Sequence, residues 1–130
     1  MNTTFLLNYL TYFGSGIALM FVFMLVYERV TPYCELKLMR EGNPAAALSF
    51  GGALIGFTLT LVSSAIHAVA WVEFLAWSVV AGLLQLMVFL LVAMTVRQIK
   101  HHIENGNVAV GVGLFSASIA LGALNAACLS

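Results

Sequence analysis

FLAWSVVAGLLQLMVFLLVAMTV, residues Phe74 to Val96, contains no Asp, Glu, Lys or Arg and is closed by Arg97. A helix rises about 1.5 Å per residue, so about 20 such residues cross the hydrocarbon core of a bilayer. Working outward, Phe5 to Tyr27, Pro44 to Val72 and Asn105 to Ser130 are equally free of those four residue types. A helix in water shows a polar face every 3.6 residues, whereas these runs carry only scattered Ser, Thr, Asn, Gln and His. The fold class that follows is all-α. It is a polytopic membrane protein with four transmembrane helices near residues 5–27, 44–70, 74–96 and 107–128, forming one membrane domain over residues 1–130.

All five basic residues fall in two stretches, Arg29/Lys37/Arg40 and Arg97/Lys100. The positive-inside rule places both stretches in the cytoplasm and both termini on the outer, periplasmic side. Met1 to Phe13 has no Lys or Arg to form an n-region, and no small-x-small site follows a short h-region at the right place, so the first helix is expected to stay in the mature protein. Cys34 and Cys128 then lie at opposite sides of the bilayer, beyond the roughly 7 Å that a disulfide spans. With the formal charge balanced, nothing suggests a nucleic-acid surface.

Arg40-Glu41-Gly42-Asn43-Pro44-Ala45-Ala46 aligns with Glu104-Asn105-Gly106-Asn107-Val108-Ala109-Val110, bringing two Gly-Asn pairs into register. The chain reads as a duplicated helical hairpin, with repeat units 1–64 and 65–130 related by an axis along the membrane normal. Asn43 is expected to cap a helix with Pro44 at its first position, and Asn107 to cap the last helix. TPYCELKLMRE, Thr31 to Glu41, and RQIKHHIE, Arg97 to Glu104, are expected to lie along the inner interface as short helices. Tyr27 and Tyr33 are placed at inner headgroup depth, and Tyr12, Trp71 and Trp77 at the outer boundary.

Ser49, Gly52, Gly56, Thr60, Ser63 and His67 recur at steps of three and four on the second span, so they share one face. Lipid gives helices no hydrophobic reason to associate, so small residues that let backbones approach mark a protein-facing surface. The last span carries two such rows, Gly113, Ser116, Ala120 and Ala127, and Gly111, Ser118, Gly122 and Asn125. Gly52→Leu or Gly56→Leu is expected to disrupt oligomers. On the third span, Ser78, Gly82 and Gln85 share a face, with Gln85 near the midplane as an interhelical hydrogen bond or the lining of a conduit. His67 and Glu73 lie toward the outer end at about the depth of Asn125, a possible polar lining or binding group.

His101-His102-x-Glu104 offers diverging imidazoles rather than the i, i+4 spacing that converges on zinc, so no metal or other cofactor is expected. No nucleophile and base pair or paired carboxylates appear, and the expectation is no enzyme activity.

The run Glu41 to Gly56, EGNPAAALSFGGALIG, and the ending Asn125-Ala126-Ala127-Cys128-Leu129-Ser130 resemble the YjfL-like family of small bacterial inner-membrane proteins, domain of unknown function 350. Ser64-Ala65-Ile66, Phe74-x-x-Trp77, Gln85-Leu86 and Glu104-x-x-Asn107 extend the likeness over nearly the whole chain; His67 departs from the family's polar side chain ahead of the outer turn. The resemblance implies four helices in the inner membrane, a homo-oligomer suggested by tandem copies in longer chains, and association with envelope-stress or polyamine processes. Two functions stand. One is an oligomeric scaffold whose cytoplasmic loops bind a protein partner, favoured by the lack of a buried carboxylate; the alternative is a channel or transporter for a cation or polar solute, lined by Gln85, Ser63, Thr60 and Asn125.

Overall fold

The computed structural model describes residues 3–129. Met1, where the leader reading begins, Asn2, and Ser130, which ends the fourth uncharged run and the family-like ending, lie outside the described residues. The elements in order are α1 (Thr3–Val30), α2 (Glu35–Arg40), α3 (Pro44–His67), α4 (Trp71–Thr95), α5 (Ile99–Glu104) and α6 (Val108–Cys128). Four of them, α1, α3, α4 and α6, are long and apolar enough to cross a membrane. The short α2 and α5 sit where the two mixed-charge stretches predict them, at one end of the bundle that is called here the basic end.

Each short helix ends in the same turn. Gly42 (φ 84°) and Gly106 (φ 74°) adopt the left-handed conformation that glycine reaches without a steric penalty. Asn43 N–H then donates back to Leu38 O and Asn107 N–H to His102 O, both at 2.9 Å. The two asparagines cap the following spans as expected, Asn43 Oδ1 accepting from Ala46 N–H and Asn107 Oδ1 from Val110 N–H. Asn43 also reaches across, its amide donating to Ile103 O at 2.7 Å and to Glu104 O at 3.3 Å. One side chain therefore ties the α2 turn to the end of α5.

The bundle is organised around α3, whose most extensive partner is α6. Ser49, Gly52, Gly56, Thr60 and Ser63 form its buried row. A Cβ on Gly52 would lie 2.6 Å from Phe115 Cα, and one on Gly56 2.5 Å from Ser118 O. The expectation that these glycines join separate copies is therefore corrected: they bring two backbones of the same chain together. A second correction concerns α6. Gly111, Ser118 and Gly122 face inward and are buried, while Gly113 and Ser116 point outward and are exposed.

α4 covers α3 and α6 together, with Gly82 under the Phe57 ring. α1 lies outermost and touches α3 and α4 through aromatic side chains, Phe23 stacking on Phe57 at 4.2 Å and Tyr12 tilted against Phe74 at 5.2 Å. Only 6% of its most apolar stretch is buried inside the chain, against 33% for α4.

Candidate functional site

Three polar side chains of the spans, Gln85, Ser63 and Asn125, bond to a neighbouring helix. Gln85, 2% exposed, donates from Nε2 to Ser118 O at 3.0 Å. Ser63 donates to Ala126 O at 2.6 Å, Asn125 to Ala81 O at 3.2 Å, and Thr60 to Phe57 O within its own helix. In an apolar solvent an unmet donor is costly, and the bonds of Gln85, Ser63 and Asn125 fasten α3 and α4 to α6, while the buried Ser78 and Ser118 hydroxyls and Gln85 Oε1 have no hydrogen-bond partner.

At the end opposite the basic one, Ser64, His67, Glu73, Trp77, Cys128 and Leu129 line a cleft of about 190 Å³. His67 and Glu73 share this cleft. Asn125 turns instead into an apolar groove of about 220 Å³ shared with Gln85, Leu84, Leu121 and Leu124. His67 Nδ1 lies 2.9 Å from Ser63 O, a carbonyl that only accepts, so the bond requires a proton on Nδ1. Among the described residues, no three His, Cys, Asp or Glu side chains are close enough to hold a metal ion. His101 and His102 bond to Asn105 and Asn107.

The most unusual chemistry lies at the basic end, in residues the sequence reading assigned to the interface. Glu35, the first residue of α2, is 0% exposed. Its Oε1 accepts from the Tyr27 hydroxyl at 2.6 Å and from Ser49 Oγ at 3.1 Å. Ser49 Oγ also lies 3.0 Å from the Tyr27 hydroxyl and 2.8 Å from that of Tyr33. Oε2 is buried with no hydrogen-bond partner. The Glu28 carboxylate approaches the backbone N–H groups of Glu35 and Leu36, supplying a cap that Cys34 does not.

Two expectations are corrected here. A buried carboxyl does exist, and Tyr27 and Tyr33, at 1% and 3% exposure, are interior hydrogen-bonding groups rather than headgroup anchors. The available signal was helical spacing: Glu35, Leu38 and Met39 fall at i, i+3 and i+4, which puts the glutamate on the apolar stripe of α2. Burial is the main force on the Glu35 carboxyl and pushes it up to about 8; the hydroxyl bonds from Tyr27, Ser49 and Tyr33 oppose that rise, and Glu28 adds to it. Burial, followed by the nearby Glu35 charge, likewise raises the Tyr33 phenol. None of the groups acting on Glu35 is a cation, so burial favours the protonated, neutral form of its carboxyl.

Four apolar spans tied by a few interhelical hydrogen bonds, two short helices at one end and the buried Glu35 carboxyl define a small polytopic membrane protein. The chain belongs to the family described as Domain of Unknown Function (DUF350), whose model matches residues 1–129. It is 37% identical over 125 residues to the UPF0719 inner membrane protein YjfL of Escherichia coli strain K12, covering 96% of this chain and 95% of that protein. It is 29% identical over 113 residues to the UPF0719 transmembrane protein YshE of Bacillus subtilis strain 168, covering 85% and 84%. No solved structure matches significantly. The chain is thus an integral, multi-pass inner-membrane protein.

Proposed function

We propose that this protein is a non-catalytic, oligomeric scaffold of the bacterial inner membrane whose cytoplasmic face, built from α2 and α5, binds a soluble protein in envelope-stress or polyamine-related processes. Both termini are then periplasmic. The observation that carries the reading is the Asn43 bridge to Ile103 and Glu104, which joins the two turns. It turns two six-residue helices into one preset surface, with Leu36, Lys37, Arg40, Lys100 and His101 exposed on it. A surface ordered before binding loses less entropy when a partner arrives. The common geometry of the two turns supports a duplicated hairpin as its origin.

The conduit alternative has less support, because Gln85, Thr60, Ser63 and Asn125 direct their donors at carbonyls of this bundle. The test is photo-crosslinking in cells from positions 37 and 100, with position 69 as a control and Asn43→Ala as the loosened platform. One soluble protein captured from both positions, and weakly in Asn43→Ala, is expected. Liposomes carrying the purified protein should show no flux of small cations or polyamines above empty ones; flux that Gln85→Leu removes at matched insertion would replace the scaffold with the conduit.

A further inference from the structure

Glu73 is the one Asp, Glu, Lys or Arg of this chain that falls outside residues 28–41 and 97–104. α3 ends and α4 begins at the end opposite the basic one. That end therefore carries a single formal charge from these residue types, and it is negative. No Lys or Arg is there to meet it. A carboxylate on an otherwise uncharged end draws a cation from solution.

The carboxylate stands in the cleft of about 190 Å³, with Ser64, His67 and Trp77 around it. Glu73 and Trp77 are four residues apart on α4, so they lie one above the other on one face of the helix. The indole is half exposed, which leaves part of its surface for a ligand. Ser64 is buried and donates its proton to Phe74 O at 3.3 Å, so its oxygen lone pairs remain as acceptors. His67 spends Nδ1 on Ser63 O and turns only its Nε2 edge to a ligand.

These contents select the kind of cation. One water occupies about 30 Å³ of liquid, so the cleft admits a group of several heavy atoms. A hard metal ion needs several oxygen ligands, and among the described residues no three His, Cys, Asp or Glu side chains come together. A quaternary ammonium is held by a cage of aromatic rings, and a single ring lines this cleft. A primary ammonium carries a charge and three N–H donors, and it needs what is present: a carboxylate, oxygen acceptors and one aromatic face.

We propose that this cleft binds the primary ammonium group of an amine, with Glu73 pairing with the charge, Ser64 accepting one N–H bond and Trp77 flanking the alkyl stem. Two sources carry that group. One is an ethanolamine phospholipid, because Ile66, Val69 and Val72 beside the cleft are apolar and strongly exposed, as side chains that lie against lipid are; the other is a small amine in solution. This site is independent of the scaffold reading, lying at the far end of the bundle from α2 and α5.

The test is fluorine NMR of the full chain carrying 5-fluorotryptophan at Trp71 and Trp77, in micelles of an uncharged maltoside, with the two lines assigned by Trp71→Phe. Ethanolamine, titrated at constant ionic strength, should move the Trp77 line saturably and leave the Trp71 line in place. Choline, which has no N–H donor, should bind about tenfold more weakly, and Glu73→Gln should weaken ethanolamine by about the same factor, the loss expected for one hydrogen bond to a charged group. If phosphatidylethanolamine dispersed in the micelles moves the Trp77 line and phosphatidylglycerol does not, the ammonium site holds a lipid headgroup; if ethanolamine moves it while both lipids leave it still, the site holds a soluble amine. An absence of saturable movement at Trp77 in the folded protein, an equal response to choline, or an ethanolamine response that Glu73→Gln leaves unchanged would each overturn the proposal.

Discussion

Replacing Glu35 by Gln should remove a pH dependence from the docking of α2. The carboxyl is fully buried, receives its hydroxyl bonds at Oε1 alone, and is raised from 4.5 to about 8. The docked state therefore binds the proton more tightly than the released state does. Docking is strongest below about pH 4.5, weakens by about 1.4 kcal/mol per pH unit between the two values, and levels off above about 8, a total of roughly 5 kcal/mol. Gln presents a neutral amide of the same shape and should hold α2 in place throughout. A spin label at Lys37→Cys, in a Cys34→Ser, Cys128→Ser background in nanodiscs, reads this directly. Its mobile fraction should grow as pH rises from 6 to 9 and stay flat once Glu35→Gln is added. An infrared carboxyl band that titrates near 8 and disappears in Glu35→Gln would identify the group. Equal mobility curves with and without Glu35→Gln would refute the argument that burial of this carboxyl governs the helix.

Gly56→Leu should lower thermal stability in detergent by about 3 kcal/mol or more, because its side chain would meet Ser118 O and the Gln85 amide; an unchanged melting temperature would break the packing account of the α3–α6 contact. Asn43→Ala should cost about 1 kcal/mol as a lost cap, with faster amide exchange in α5 as well as α3, since its amide also serves Ile103 and Glu104. Gln85→Leu should cost about 1 kcal/mol, the worth of one interhelical hydrogen bond in a membrane, as read by unfolding in mixed micelles. A thiol reagent that cannot cross membranes should spare Cys34 in intact cells, and labelling it from outside would reverse the assigned orientation.

The spans were legible because the bilayer imposes a single rule on length and charge, and each uncharged run contains most of one observed helix. The turns were legible because Gly-Asn-Pro and Gly-Asn-Val combine a left-handed residue with a cap, a purely local constraint. Partner choice was not. The row of small residues on α3 said that something comes close, but small residues look alike whether the neighbour is α6 or another copy, so Gly52 and Gly56 were assigned outside the chain. On α6 two rows compete, and Gly111 and Gly122 turn inward against the backbones of Ala45 and Gly56, a meeting that depends on the third dimension. Glu35 was hidden by its neighbours: beside Lys37 and Arg40 it reads as part of a solvated stretch, and its burial depends on Ser49 from the next helix.

The hydroxyls and the carboxyl around Glu35 all come from residues 27 to 49, whereas the small-residue row on α3 waits for α6, made some way after it. During synthesis the first half can therefore settle its most polar group by itself as it enters the membrane. Its glycine face stays open to lipid until α6 arrives, and any factor that guards nascent membrane helices would find a target there.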